Sequence, residues 1–259
     1  MLDNPHDQRP WGIDARGVTK TFGSVTAVRN LTLRVAPGTL FGFLGPNGSG
    51  KSTTVKLLTG LLAPAAGQMF VAGHTVSPEN IGLRRAIGIL PEDAALFHSL
   101  TIWEHLELSG PLYGLSRQET RERAIQLLRH LDLERESGTF IDQASYGMRK
   151  KCALAMALLH NPRILFLDEP FEGLDPGSSR NIKDLLVTLA SKGVTIFVTS
   201  HILEVVERLI SQFAIIIRGE VVCCQTVADV QRAGMTLEDV YFTHAGKPAT
   251  GNLAWLGSH

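Results

Sequence analysis

Short apolar runs broken by glycine-rich turns divide this chain into alternating β and α segments. From Ile13 to Leu44 the texture is β. Leu31, Leu33 and Val35 alternate with Thr32 and Arg34, the two-residue period of a strand with one face in a core and the other in water. Pro37-Gly38 marks a turn, and Leu40 to Leu44 is apolar without interruption, which predicts a strand covered on both faces. A helix is expected over Ser52 to Leu61, with Val55, Leu57, Leu58 and Leu61 as its apolar positions. Gly67 to Ala72 and Ile87 to Leu90 read as two further short strands.

From Glu92 to His160 the pattern turns helical. Thr101-Ile102-Trp103-Glu104 and Ser116-Arg117-Gln118-Glu119 both have the spacing of a capping box, in which hydroxyl and carboxylate satisfy each other's backbone N–H groups. Ala124, Leu127, Leu128 and Leu131 then recur at helical spacing, and a third helix runs from Ser145 to His160 with small residues at Ala153, Ala155 and Ala157. The β/α alternation resumes with a buried strand at Ile164–Leu167. A helix carrying Ile182, Leu185, Leu186 and Leu189 ends at Gly193. A strand at Val194–Val198 is followed by a helix lined by Ile202, Val205, Val206 and Leu209. Ala214–Ile217 and Val221–Cys224 flank Arg218-Gly219 as a hairpin.

This order predicts an α/β fold: a core of mostly parallel sheet, an antiparallel β subdomain and a helical insertion. The expected organisation is one domain over residues 1–243. Residues 13–91 and 161–243 form the core with its β subdomain, residues 92–160 form the helical part, and 244–259 are a flexible tail.

Composition narrows the function. The 259 residues carry 25 Lys plus Arg and 25 Asp plus Glu, so the formal net charge is zero and no basic excess points to nucleic acid. Cys152, Cys223 and Cys224 are too few and too badly spaced for a disulfide framework or a zinc site, which fits a reducing compartment. Met1 to Pro10 lacks the apolar stretch of a signal peptide. The longest apolar runs are far too short to span a bilayer, so any membrane crossing falls to another chain.

Candidate chemistry begins at Gly45-Pro46-Asn47-Gly48-Ser49-Gly50-Lys51-Ser52-Thr53, which fits G-x-x-x-x-G-K-[ST] between a buried strand and a helix. Glycines let backbone N–H groups turn inward around a phosphate. Lys51 can reach the β- and γ-phosphates, and the Ser52 hydroxyl can ligate Mg²⁺. Asp168-Glu169 directly follows the strand Ile164–Leu167, at the end of a parallel sheet where ligands bind. Beside a phosphate loop Asp168 can hold Mg²⁺ and Glu169 can orient the attacking water; read alone, the pair also fits a solvated loop. His201 follows a strand end and can touch a γ-phosphate or cap the next helix. Ser145-Tyr146-Gly147-Met148 opens a helix whose first turns hold Arg149, Lys150 and Lys151. Ser145 suits an N-cap, but cations sit badly at a positive dipole end, which hints at an anion there.

Together these segments resemble the ATP-binding subunit of an ABC transporter, a P-loop NTPase, from about Ile13 to Phe242. The resemblance rests on six motifs in order: Gly45–Thr53, Leu90-Pro91-Glu92, Ser145–Met148, Asp168-Glu169, Gly173-Leu174-Asp175-Pro176 and His201. It implies that Phe22 stacks on adenine, that Glu92 stands where a Mg²⁺-touching glutamine is usual, and that His201 senses the γ-phosphate. It also implies that Ser145, Gly147 and Met148 meet ATP bound to an opposite subunit and that Asp175 links the two sites across the dimer. The usual L-S-G-G-Q signature reads Ala144-Ser145-Tyr146-Gly147-Met148. That form, with Phe171–Pro176, Ser200–Val205 and Thr236–Phe242, looks like the ABC-2 type export subfamily.

The resemblance therefore implies an ATPase using ATP and Mg²⁺, with a second ATPase subunit and an integral membrane permease as partners, on the cytoplasmic face of a membrane. Two other classes are weighed against it. A soluble ABC-type ATPase acting on ribosomes or DNA usually carries two such domains or long coiled coils. A regulator that does not hydrolyse would have no need of Asp168, Glu169 and His201 together.

Overall fold

The computed structural model describes residues 11–246. The expectations for Met1–Pro10 and for the tail from residue 247 onward lie outside the described residues. In chain order the elements are β1 (Ile13–Phe22), β2 (Val25–Val35), β3 (Leu40–Leu44), α1 (Lys51–Leu58), β4 (Ala66–Val71), β5 (His74–Thr75), α2 (Ile81–Ala86) and β6 (Ile87–Leu90). Then come α3 (Ile102–Leu112), α4 (Arg117–His130), α5 (Tyr146–Leu158), β7 (Ile164–Asp168), α6 (Pro176–Ser191) and β8 (Thr195–Ser200). The chain closes with α7 (Leu203–Glu207), β9 (Gln212–Ile217), β10 (Glu220–Thr226), α8 (Val227–Arg232) and α9 (Leu237–Ala245).

Two sheets result. One is antiparallel, in the order β2-β1-β4-β5. The other has six strands in the order β10-β9-β3-β8-β7-β6 and is parallel except for β10. The uninterrupted apolar runs become its middle: β3, β7 and β8 are buried along their whole length. Strand alternation splits their side chains between two cores. Phe41, Phe43, Phe166 and Phe197 face the antiparallel sheet and α1, with ring centroids 5.3–5.6 Å apart around Phe197. Leu44, Leu165, Leu167, Ile196 and Val198 face the other way, into the core that α3 to α6 also fill. On β2 the alternation is as expected, with Leu31, Leu33 and Val35 buried and Thr32 and Arg34 exposed.

The capping boxes at Thr101/Glu104 and Ser116/Glu119 both form, and they hold the two glutamates below the usual carboxylate range through hydrogen bonds from Thr101 and Ser116. Other expectations need correction. The helix after His201 is a single short turn, Leu203–Glu207; Val206 is buried, whereas Ile202 is 40% exposed. The last helix, opened by a third capping box of Thr236 and Asp239, runs to Ala245, two residues into the stretch expected as a tail. Helices α2 and α8 give too few apolar repeats to be legible; their starts rest on Asn80 and Thr226 as N-caps.

Register decides what meets at the sheet's carboxyl edge. β8 lies between β3 and β7, pairing Leu44 with Ser200 and Asp168 with Thr199. The glycine loop after β3, the acidic pair after β7 and His201 after β8 therefore emerge side by side.

Candidate active site

The loop after β3 is shaped by its own backbone. A Cβ on Gly45 would lie 2.3 Å from the Ile216 carbonyl oxygen and 2.6 Å from Ser49 Oγ. Gly50 has φ of +109° and approaches Ala27, whose carbonyl oxygen would be 2.5 Å from an added Cβ. Neither position admits a side chain without moving backbone. Gly219 N–H, in the β9–β10 turn, donates to the Ser49 carbonyl at 2.9 Å and ties the loop to the sheet. Gly50 is the N-cap of α1, and no side chain caps that terminus. The first N–H groups of α1 and the positive end of its dipole thus remain available to an anion.

The loop from Asn47 to Thr53, Gly50 included, borders a cleft of about 360 Å³ shared with Ala27, Glu92 and Glu169. Lys51 is buried to 6% exposure, and its Nζ donates to the carbonyls of Gly45 at 2.9 Å and Pro46 at 3.3 Å. Glu169 Oε1 lies 3.5 Å from Lys51 Nζ and 2.9 Å from His201 Nδ1. The approach to His201 lacks hydrogen-bond alignment, so Glu169 Oε1, His201 Nδ1 and Ser49 Oγ are buried polar atoms without a hydrogen-bond partner among the described residues. Such atoms carry a desolvation penalty unless something polar joins them. Glu169 also holds φ of +48°, an uncommon conformation for a residue with a Cβ, and such strain clusters at functional sites.

Asp168 sits behind this cleft. Its Oδ1 accepts from the Thr199 hydroxyl, and Thr199 Oγ1 accepts from Glu169 N–H at 3.1 Å. Thr199 thus fixes both acids from the neighbouring strand, a role the sequence signalled only as a polar residue closing an apolar run. Lys150 is the other residue missed. It is 4% exposed, and its Nζ donates to the Glu169 carbonyl at 2.5 Å and the Glu172 carbonyl at 3.1 Å. Arg149 donates to the Ala144 carbonyl at 2.9 Å. Of the three α5 cations that hinted at an anion, Arg149 and Lys150 thus donate to carbonyls of their own chain, which leaves Lys151.

The other expected site residues stand apart from the cleft lining. Ser145 is exposed and caps α5, its Oγ accepting from Met148 N–H at 3.2 Å, with Gly147 in the same turn. Asp175 caps α6, its Oδ1 accepting from Ser178 N–H at 2.9 Å; hydrogen bonds from Ser178 hold its carboxyl below the usual range. Phe22 is 48% exposed at the end of β1, with Lys20 Nζ 5.1 Å from its ring centre. No cluster of three or more His, Cys, Asp or Glu able to hold a metal occurs among the described residues. A hydroxyl from Ser52 with one or two carboxylates suits Mg²⁺ that takes its remaining oxygens from a nucleotide, as hard cations of this size do. Among the described residues no helix is long and apolar enough to cross a membrane.

Residues 28–172 match the ABC transporter family, and the chain belongs to it as an ATP-binding and ATP-hydrolysing subunit. It is 35% identical over 218 residues to the linearmycin resistance ATP-binding protein of Bacillus subtilis, covering 84% of this chain and 70% of that one. It is 38% identical over 236 residues to a daunorubicin resistance ATP-binding protein of Streptomyces coeruleorubidus, covering 91% and 75%. The Nod factor export ATP-binding protein I of Cupriavidus metallidurans is 37% identical over 80% of this chain and 68% of its own. The solved ATP-binding subunit of an ABC transporter superposes with a TM-score of 0.83 at 31% identity, over 89% of this chain and 98% of that one. A bacterial ABC transporter cassette solved as a dimer gives 0.78 at 28% identity, over 83% and 98%.

Proposed function

We propose that this chain is the ATP-driven motor of an exporter, working as a head-to-tail dimer beneath a separate membrane-spanning partner. The observation that carries the reading is the position of Glu169, a buried carboxylate between Lys51 and His201 at the mouth of the glycine loop. The loop N–H groups and Lys51 bind the β- and γ-phosphates. Lys51 exchanges its carbonyl partners for phosphate oxygens and stabilises charge on the transferring group. Ser52, Asp168 and Glu92 would hold Mg²⁺, which neutralises phosphate charge when bound. Glu169 accepts a hydrogen bond from the attacking water and orients it in line. His201 touches the same γ-phosphate and reports its loss. Phe22 offers its exposed ring to the adenine.

The composite dimer follows from what the cleft lacks. Ser145, at an exposed helix N-terminus, and Gly147 and Met148 beside it are absent from the lining of this chain's own glycine-loop cleft, so the anion they serve belongs to a second subunit. Asp175 joins the two sites across that interface. Export rather than import is supported by the relatives, two resistance proteins and one export protein. The membrane partner and a position on the cytoplasmic face follow from the same kinship.

The test is Glu169→Gln. It should bind ATP, release phosphate at least about 100-fold more slowly and accumulate as an ATP-bound dimer in size-exclusion chromatography. Turnover close to that of the parent would sink the role given to Glu169.

A further inference from the structure

Lys150 is a buried cation that the mechanism above does not use. It lies on the second turn of α5, one helical step past Ser145 and Gly147. Its donors go to the Glu169 carbonyl at 2.5 Å, the Glu172 carbonyl at 3.1 Å and Tyr146 Oη at 3.4 Å. The Tyr146 ring also faces it, 5.3 Å from Nζ, and packs against Gly173, where an added Cβ would come within 2.6 Å of the ring. A lysine at 4% exposure is rare, because burial disfavours its charged form. Burial does push this ammonium down, while Glu172 and Glu169 pull it back up. A leucine or methionine would fill the same volume without that penalty, so the donors must be what the position needs.

What they hold is the strained peptide of Glu169. Its φ of +48° departs from the extended backbone of β7, which ends at Asp168. Thr199 Oγ1 accepts from the N–H of the same residue at 3.1 Å. Glu169 is therefore gripped at both backbone polar groups, at its N–H from β8 and at its carbonyl from α5. Its side chain is left to meet Lys51 and His201. Releasing the carbonyl would let the peptide relax towards an ordinary β conformation and swing the carboxylate out of line.

We infer that Lys150 is a positioning residue that holds Glu169 in its reactive conformation from the signature helix. The inference rests on the role proposed above for Glu169. It adds to it that the helix offering Ser145 to the opposite nucleotide also carries the cation that sets this chain's own water-orienting carboxylate.

The test uses the full chain with ATP and Mg²⁺. Lys150→Met should bind ATP within about threefold of the parent, form the ATP-bound dimer, and release phosphate about 100-fold more slowly. A lysine that only braces α5 would behave differently: its loss would weaken ATP-driven dimerisation along with turnover, and that result would overturn the inference. So would turnover near the parent's. If Lys150→Met does not fold, Lys150→Gln carries the test, since its shorter amide cannot span both carbonyls. It should form the dimer and turn over at least about threefold more slowly, and parental turnover would again be fatal. Glu169→Gln measured alongside separates the two failures. If Glu169→Gln is also fully active, the role given to Glu169 falls; if only the Lys150 variants are fully active, this inference alone falls.

Discussion

Two helix N-termini carry the nucleotide chemistry proposed for this chain, and they are built in opposite ways. Helix α1 begins at Gly50 with no side-chain cap, and a glycine loop curls its N–H groups around a cleft that already contains Lys51 and Glu169. Helix α5 begins at Ser145, whose hydroxyl takes up one N–H, and that residue stands exposed. The cations that could have served it, Arg149 and Lys150, turn back into the chain. The first terminus is a phosphate site by construction. In the proposed dimer the second is half of one, completed by the nucleotide of another subunit. An uncapped helix end leaves its first N–H groups to a bound anion, whereas a side-chain cap already satisfies part of them.

The contrast is broken most severely at Gly50. Gly50→Val would place a branched side chain at φ of +109° against the Ala27 carbonyl. Monomer affinity for ATP should fall by about 100-fold or more, read by titration with a fluorescent nucleotide. Retained affinity would mean that the loop geometry is not what binds phosphate. Next in size is Ser145→Arg. It should leave nucleotide binding by the monomer largely intact, abolish ATP-driven dimerisation in size-exclusion chromatography, and lower turnover by at least about tenfold. Loss of monomer binding instead would place Ser145 in the wrong site.

The smallest effect concerns the far end of α5. His160 donates from Nε2 to the Ile87 carbonyl at 2.9 Å and stacks on Tyr113 with ring centres 3.8 Å apart. Burial, the largest influence, lowers its pKa below the ordinary value of 6.5. The unfolded chain therefore takes up a proton first as pH falls. The resulting stability is present in full above about pH 6.5 and is lost as pH drops towards the folded value, with a slope of at most about 1.4 kcal/mol per pH unit. Chemical denaturation between pH 7 and pH 5 should show this slope, and His160→Gln should flatten it. An unchanged slope would mean that another group titrates.

Much of this was legible without coordinates. The uninterrupted runs Leu40–Leu44 and Ile164–Leu167 are buried strands because nothing polar interrupts them. The glycine loop follows from a spacing that few other functions require. The capping boxes at Thr101 and Ser116 are local chemistry, complete within four residues, and they form as written. The failures have a common cause as well. Ile202 and Val205 look like a helical core face, yet the helix lasts five residues, starts without a side-chain cap and buries only Val206 of its own residues. Arg149 and Lys150 look like misplaced surface cations, since a sequence does not show that the carbonyls of Ala144, Glu169 and Glu172 lie within their reach.

By itself, then, the chain determined a phosphate loop, an acidic strand end, a histidine after the next strand, and the order that joins them to one family. Each is short-range information, held in a handful of adjacent residues. Only the tertiary structure decided that β8 lies between β3 and β7, which brings Lys51, Glu169 and His201 within hydrogen-bonding reach although more than 100 positions separate the first from the second. Only the tertiary structure showed that Thr199 and Lys150 hold the backbone of Glu169 from two different elements. Strand order and the burial of a charge depend on how the whole chain packs, and no local pattern of residues encodes them.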